Sequence, residues 1–169
     1  MSTTLTLEQQ ATNADTSKHI RTVGKVLHLF IKELLDRIDR HDQSKLASPE
    51  VELFTEYTPK LAGSTYGSDE YEGFRKAMGP ALDHHYKFNR HHPEHFPDGI
   101  RGMSLVDLVE MLCDWFAATK RHHNGDLRKS IEHNQNRFGY TDELKQIMLN
   151  TVPFLESGYG SPDGPGESD

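Results

Sequence analysis

From residue 17 to residue 35 the apolar side chains return every three or four positions: Val23, Val26, Leu27, Phe30, Leu34, Leu35. That is the period of one face of an α-helix. The same spacing returns in SLVDLVEMLCDWFAATKRHH (104–123), where Ser104 and Asp107 form a capping box. Nowhere does the chain alternate apolar and polar residues as a half-buried strand does. These patterns predict an all-α fold, a single helical domain of five to six helices over residues 17–155. A loose polar segment (1–16) would precede it and an acidic flexible tail (156–169) would follow.

The punctuation supplies the remaining boundaries. Thr16 or Ser17 can cap the first helix. Ser48-Pro49-Glu50 opens a second, which should fade by Gly63. AGSTYGSDEYEGF (62–74) reads as a loop, a possible lid with Tyr66 and Tyr71 placed to stack on a base. Gly79-Pro80 opens a third helix through ALDHHYKFNRHH, stopped by Pro93. HPEHFPDGIRG (92–102) is a second loop. Asn124-Gly125 ends the fourth helix, and residues 126–137 and 142–152 form two more.

The net charge of −7 argues against a nucleic-acid polymer as partner. Four of the acids lie in residues 156–169, which leaves 19 bases against 22 acids in the body. A near-neutral body can still bind a small anion locally. The single cysteine, Cys113, forms no internal disulfide, and with no signal-like start or spanning apolar run a cytoplasmic location is expected, with no membrane partner.

Histidine is the anomaly of composition. There are eleven, and six are His41, His84, His85, His91, His92 and His95. His84 and His91 are seven apart, as are His85 and His92, nearly two helical turns. The fourth helix carries Asp107, Glu110 and Asp114 along one side, among residues that should be buried. A buried acid needs a cation or a donor. Imidazole and carboxylate together suit Mn, Fe, Co, Ni or Zn, and a more carboxylate-rich set suits Mg. Asp107 is best explained by its capping box, and Glu110 as an acid that orients a histidine. Trp115 and Phe116 read as core.

His19, His41-Asp42, His84-His85 and Asp114, taken in order, resemble the motif string of the HD-domain metal-dependent phosphohydrolases. HDQSK (41–45) is similar to that family's HD-x-G-K run, with Ser44 in place of glycine. HD-x-SK, HH-x5-HH (84–92) and EM-x-CDW (110–115) look closest to a small bacterial and phage branch. The resemblance covers roughly residues 17–120. It implies one or two divalent ions held by His19, His41, Asp42 and Asp114, with a metal-bound water attacking a phosphorus centre. His84, His85, His91 and His92 would hold a second ion, contact phosphate or protonate the leaving group. Lys45, Lys87, Arg90 and Arg121 would supply phosphate-binding charge. The implied substrate is a small phosphate ester or anhydride, most readily a nucleotide, and a homodimer is possible.

One geometric condition attaches to this. His19 and His41 lie 22 residues apart, about 33 Å along one straight helix, so sharing an ion requires a turn between them, placed at Leu35–Arg40. Two other classes stay open: a di-iron oxygenase of the same superfold, and a non-catalytic helical metal-binding or adaptor protein.

Overall fold

The computed structural model describes residues 5–65, 68–121 and 125–160. Every regular element among them is helical. Seven α-helices are present, against the five to six expected. The chain forms two compact units, Met1–His41 and Asp42–Asp169.

The first unit is one helix, α1 (Leu7–Arg40). It begins earlier than Thr16 because Thr6 and Gln9 make a reciprocal capping box, so the expected loose segment is helical from Leu7. The expected turn at Leu35–Arg40 is absent. The charged run there stabilises helix through pairs one turn apart, Arg37 Nε on Glu33 at 2.8 Å and Arg40 on Asp36 at 4.0 Å.

In the second unit, α2 (Glu50–Gly63) starts where Pro49 predicts. The expected loop at 62–74 is only partly a loop. Ser68 caps α3 (Asp69–Ala77), with three acids in its first turn and two bases in its last, both favourable to the helix dipole. The lid idea therefore loses Tyr71 to a helix, and Tyr66 lies outside the described residues.

Helix α4 (Gly79–Phe88) ends before the second histidine pair. The Asn89 backbone N–H and side-chain amide both donate to the His85 carbonyl, at 2.9 Å each, and terminate it. His91 and His92 then lie in the turn that leads to a 3-10 turn at Pro93–His95. A second 3-10 turn, Gly99–Gly102, leads into α5 (Leu105–Thr119), whose Ser104–Asp107 capping box is present as expected. Helices α6 (Leu127–Phe138) and α7 (Asp142–Tyr159) complete the unit. Asn124, the expected end of the fourth helix, lies outside the described residues. Of the acidic tail, Glu156 is on α7 and pairs with Arg128 at 2.8 Å, while Asp163, Glu167 and Asp169 are outside the described residues.

The buried apolar core is built from α5, α6 and α7. Met111, Leu112, Phe116, Ile131, Met148 and Val152 form it, with the Tyr140 hydroxyl donating to the Ile131 carbonyl. Trp115 stacks on Phe138 at its border. Around α2 and α4 the buried set is different: Met78 and Ala81 accompany Glu50, His85 and Asn89. Half of the unit is sealed by hydrocarbon and half by a polar network.

Gly139 closes α6 in the left-handed region, at φ 63° and ψ 31°. A Cβ there would touch nothing, so any penalty is purely conformational. Gly139→Ala should lower stability by about 1 kcal/mol, read as a lower urea midpoint at unchanged slope. An unchanged midpoint would contradict this backbone assignment.

Candidate metal centre

Asp42 follows α1 with φ 57°, the only positive φ at a non-glycine position among the described residues. Aspartate tolerates that region better than most residues. Four residues, Gln43–Leu46, then form a 3-10 turn that carries Ser44 and Lys45. Lys45 Nζ sits 2.5 Å from Asp42 Oδ2. The other oxygen, Oδ1, faces two imidazoles: His85 Nε2 at 3.2 Å and His91 Nε2 at 3.5 Å.

Each of those imidazoles has a carboxylate at its far nitrogen. His85 Nδ1 lies 2.9 Å from Glu50 Oε2, and His91 Nδ1 lies 3.2 Å from Glu110 Oε1. A carboxylate only accepts, so at His85 it holds the proton on Nδ1 and leaves the Nε2 lone pair directed at Asp42. Glu110 stands beside the His91 ring. His92 joins from the side, its Nε2 2.9 Å from His85 Nε2. Burial, then the neighbouring His91 and His85, pushes the His92 pKa down to about 2, so this ring is neutral at pH 7.

Glu50 is the hinge of the arrangement and is fully buried. Its Oε1 lies 2.6 Å from His84 Nδ1, and its Oε2 accepts from Ser44 Oγ at 3.1 Å. Asn89 Nδ2 donates to Ser44 Oγ at 2.8 Å, tying the 3-10 turn to the end of α4. Periodicity does not choose between the adjacent His84 and His85. The structure sends both to Glu50, with His85 buried and the His84 side chain 33% exposed at the edge.

Two overlapping groups of potential ligand atoms result. Those of Asp42, His85, His91 and His92 lie within 4.8 Å of one another, as do those of Asp42, His91 and Asp114. Metal–ligand bonds of ~2.1 Å set neighbouring donors about 3.0 Å apart around an octahedron and about 3.4 Å apart around a tetrahedron. The separations of 2.9, 3.2 and 3.5 Å lie in or within 0.1 Å of that range. Charge points the same way. Asp42, Glu50, Glu110 and Asp114 bring four carboxylates together, with Lys45 paired to Asp42. A divalent cation could share that charge. The buried histidine–aspartate cluster could therefore hold a metal ion.

The other expected site residues lie elsewhere or serve other ends. His19 stands mid-helix on the continuous α1, so it cannot share an ion with His41, about 33 Å along the axis. His41 caps α1, its backbone N–H donating to the Arg37 carbonyl, and is half-buried. Lys87 is exposed over the Phe88 ring and Arg121 is exposed beyond α5.

Arg90 is a correction to the phosphate-binding set. Its Nε and Nη2 donate to the two oxygens of the fully buried Asp107, both at 3.2 Å, while its guanidinium covers the Phe96 ring. Asp107 also accepts from the Ser104 backbone N–H at 2.8 Å. This fork fixes the turn carrying His91 against the start of α5. Arg90→Lys should destabilise the fold by about 2 kcal/mol, the range of a lost hydrogen bond to a buried charge. Urea denaturation would show it. Unchanged stability with weakened substrate binding would instead return Arg90 to phosphate recognition.

Composition and spacing offered no route to Glu50. An acid in the first turn after a proline ordinarily serves the helix dipole in solvent. Tyr86 is a second unforeseen contributor. Its ring packs 4.9 Å from that of His92 and also lines an open cavity of about 610 Å³ with Arg75, Lys76 and Arg137. Among the described residues no helix is long and apolar enough to cross a membrane.

A family model described as a family of unknown function matches residues 8–158. No curated protein and no solved structure matches the chain.

Proposed function

The chain belongs to DUF5662, and we propose that its histidine–aspartate cluster binds a divalent metal ion and hydrolyses a small phosphate ester or anhydride, a nucleotide being the favoured class. The observation that carries the reading is the pair of buried imidazoles, His85 and His91, that face one oxygen of Asp42, with His85 held from behind by Glu50. A divalent ion in such a set supplies Lewis-acid charge to a phosphoryl oxygen and lowers the pKa of water.

The protein's own groups have separable tasks. Asp42, His85, His91 and His92 hold the ion, with Asp114 at the adjoining position. Glu50 keeps the His85 ring in the required tautomer, and Glu110 lies beside His91. Lys45 balances Asp42 and, once an ion shares that carboxylate, is the ammonium nearest an incoming phosphate oxygen. His84, half in solvent and backed by Glu50, is placed to give a proton to the leaving group. His41, beside Asp42 in the chain, stays a candidate ligand.

The test is elemental analysis of protein purified without added metal, followed by phosphate release from a panel of nucleotides with Mn, Co, Mg and Ni. Bound metal, with turnover lost in Asp42→Ala, is the expected result. Iron with oxygen consumption and no phosphate release would move the assignment to a di-iron oxygenase. Bound metal without turnover of any kind would make this a metal-binding module, and no metal would end the proposal.

A further inference from the structure

None of the 34 residues of α1 is buried. Nine large apolar side chains between Ile20 and Ile38 are nonetheless exposed, among them Ile20 at 62% and Ile38 at 71%. At 100° per residue all but Leu29 fall on one half of the helix surface, and Lys18, Arg21, Lys25 and Lys32 fall on the other. Such a stripe offers on the order of 800 Å² of surface, what each partner contributes to a stable interface. A soluble chain rarely leaves a patch of this size to water.

The order of residues along the stripe identifies what covers it. Reflected about residue 29, Ile20 falls on Ile38, Val23 on Leu35 and Leu27 on Ile31. A helix with this symmetry is complementary to its own reverse. The charges choose the same direction. Residues 18–32 hold four bases and no acid, whereas 33–40 hold three acids (Glu33, Asp36, Asp39) against two bases (Arg37, Arg40), a net charge of −1 against +4. Parallel pairing would set the basic segment beside itself; antiparallel pairing sets residues 18–25 beside the segment containing the three acids.

We propose that α1 is a homodimerisation helix, its apolar stripe covered by the α1 of a second copy running antiparallel about residue 29. The contact is isologous, so each pair occurs twice and the assembly closes at two chains.

Sedimentation equilibrium of the full chain at micromolar concentration should give twice 19.3 kDa. The double substitution Leu27→Asp, Ile31→Asp should give a monomer that keeps its metal content. Direction is read separately by mild oxidation. In a Cys113→Ser background, which removes the chain's one cysteine, mixed Val23→Cys and Leu35→Cys proteins should cross-link at least tenfold more than either alone. If the aspartate variant fails to fold, this cross-linking decides. A monomeric wild type, a dimer that persists in the folded aspartate variant, or preferential Val23→Cys self-linking would each overturn the proposal. A monomer that binds anionic lipid vesicles through α1 would overturn it in favour of a membrane surface.

Discussion

Stripping the protein with chelator and adding back Mn or Co should raise its Tm by about 5–10 °C at a hundredfold excess over Kd. That excess stabilises the folded state by about 2.7 kcal/mol, and a chain of this size shifts by roughly 2–4 °C per kcal/mol. Asp42→Asn should abolish the shift. The substitution is chosen for its backbone. Position 42 has φ 57°, which asparagine tolerates as aspartate does, so shape and conformation survive while the charge is lost. Because Lys45 donates to the remaining oxygen, the amide –NH2 takes the place of the oxygen that both His85 and His91 face. The Asn variant should therefore stay folded without metal and bind it at least about a hundredfold more weakly, at the upper end of ligand-sphere effects. An equal thermal shift in both proteins would show that the ion, if any, sits away from Asp42.

Glu50 should be the most sensitive carboxylate of the fold. It is fully buried and touches His84, His85 and Ser44 together. Glu50→Ala strips the buried partner from two rings and should lower stability by about 3–5 kcal/mol. Glu50→Gln separates packing from charge. Its amide keeps the volume, but the –NH2 end must donate to one of the two imidazoles it replaces a carboxylate for. If that ring is His85, its proton moves to Nε2 and points into the cluster. The expectation is a smaller stability loss, about 1–3 kcal/mol, with metal affinity reduced about 10–100-fold. Isothermal titration with Mn beside urea denaturation reads both. Stability within 1 kcal/mol of wild type in Glu50→Ala, with unaltered affinity, would remove Glu50 from the account.

The sequence made some of this visible and hid the rest for identifiable reasons. The start and face of α5 could be read because capping box and apolar period agree, and Asp114 and Glu110 followed from it; its end, expected at 123, comes at Thr119. Asp42 was visible because an HD dipeptide stands where a long apolar period ends. The uninterrupted α1 was not, because DRIDR looks like a turn until Arg37 is matched with Glu33 and Arg40 with Asp36, each a turn earlier. With that continuity goes His19. The second histidine pair was assigned to a helix by its seven-residue spacing; an asparagine side chain bonding back to the His85 carbonyl ends α4 first and folds His91 and His92 over it. Glu50 and Arg90 share a different cause. Whether a first-turn acid is solvated or buried, and whether an arginine meets phosphate or Asp107, depends on what packs opposite. No local pattern contains that information.

The uneven core also gives the second unit two independent sources of cohesion. The α5–α7 half is held by contacts that ignore protons and ions, so its integrity follows temperature and denaturant alone. The half around α2 and α4 is held by a polar network of carboxylates, imidazoles and the Lys45 ammonium. On the proposed reading, a metal bound there would tie these groups together as well as act on substrate, so removing it with a chelator should loosen that half and leave the other unchanged.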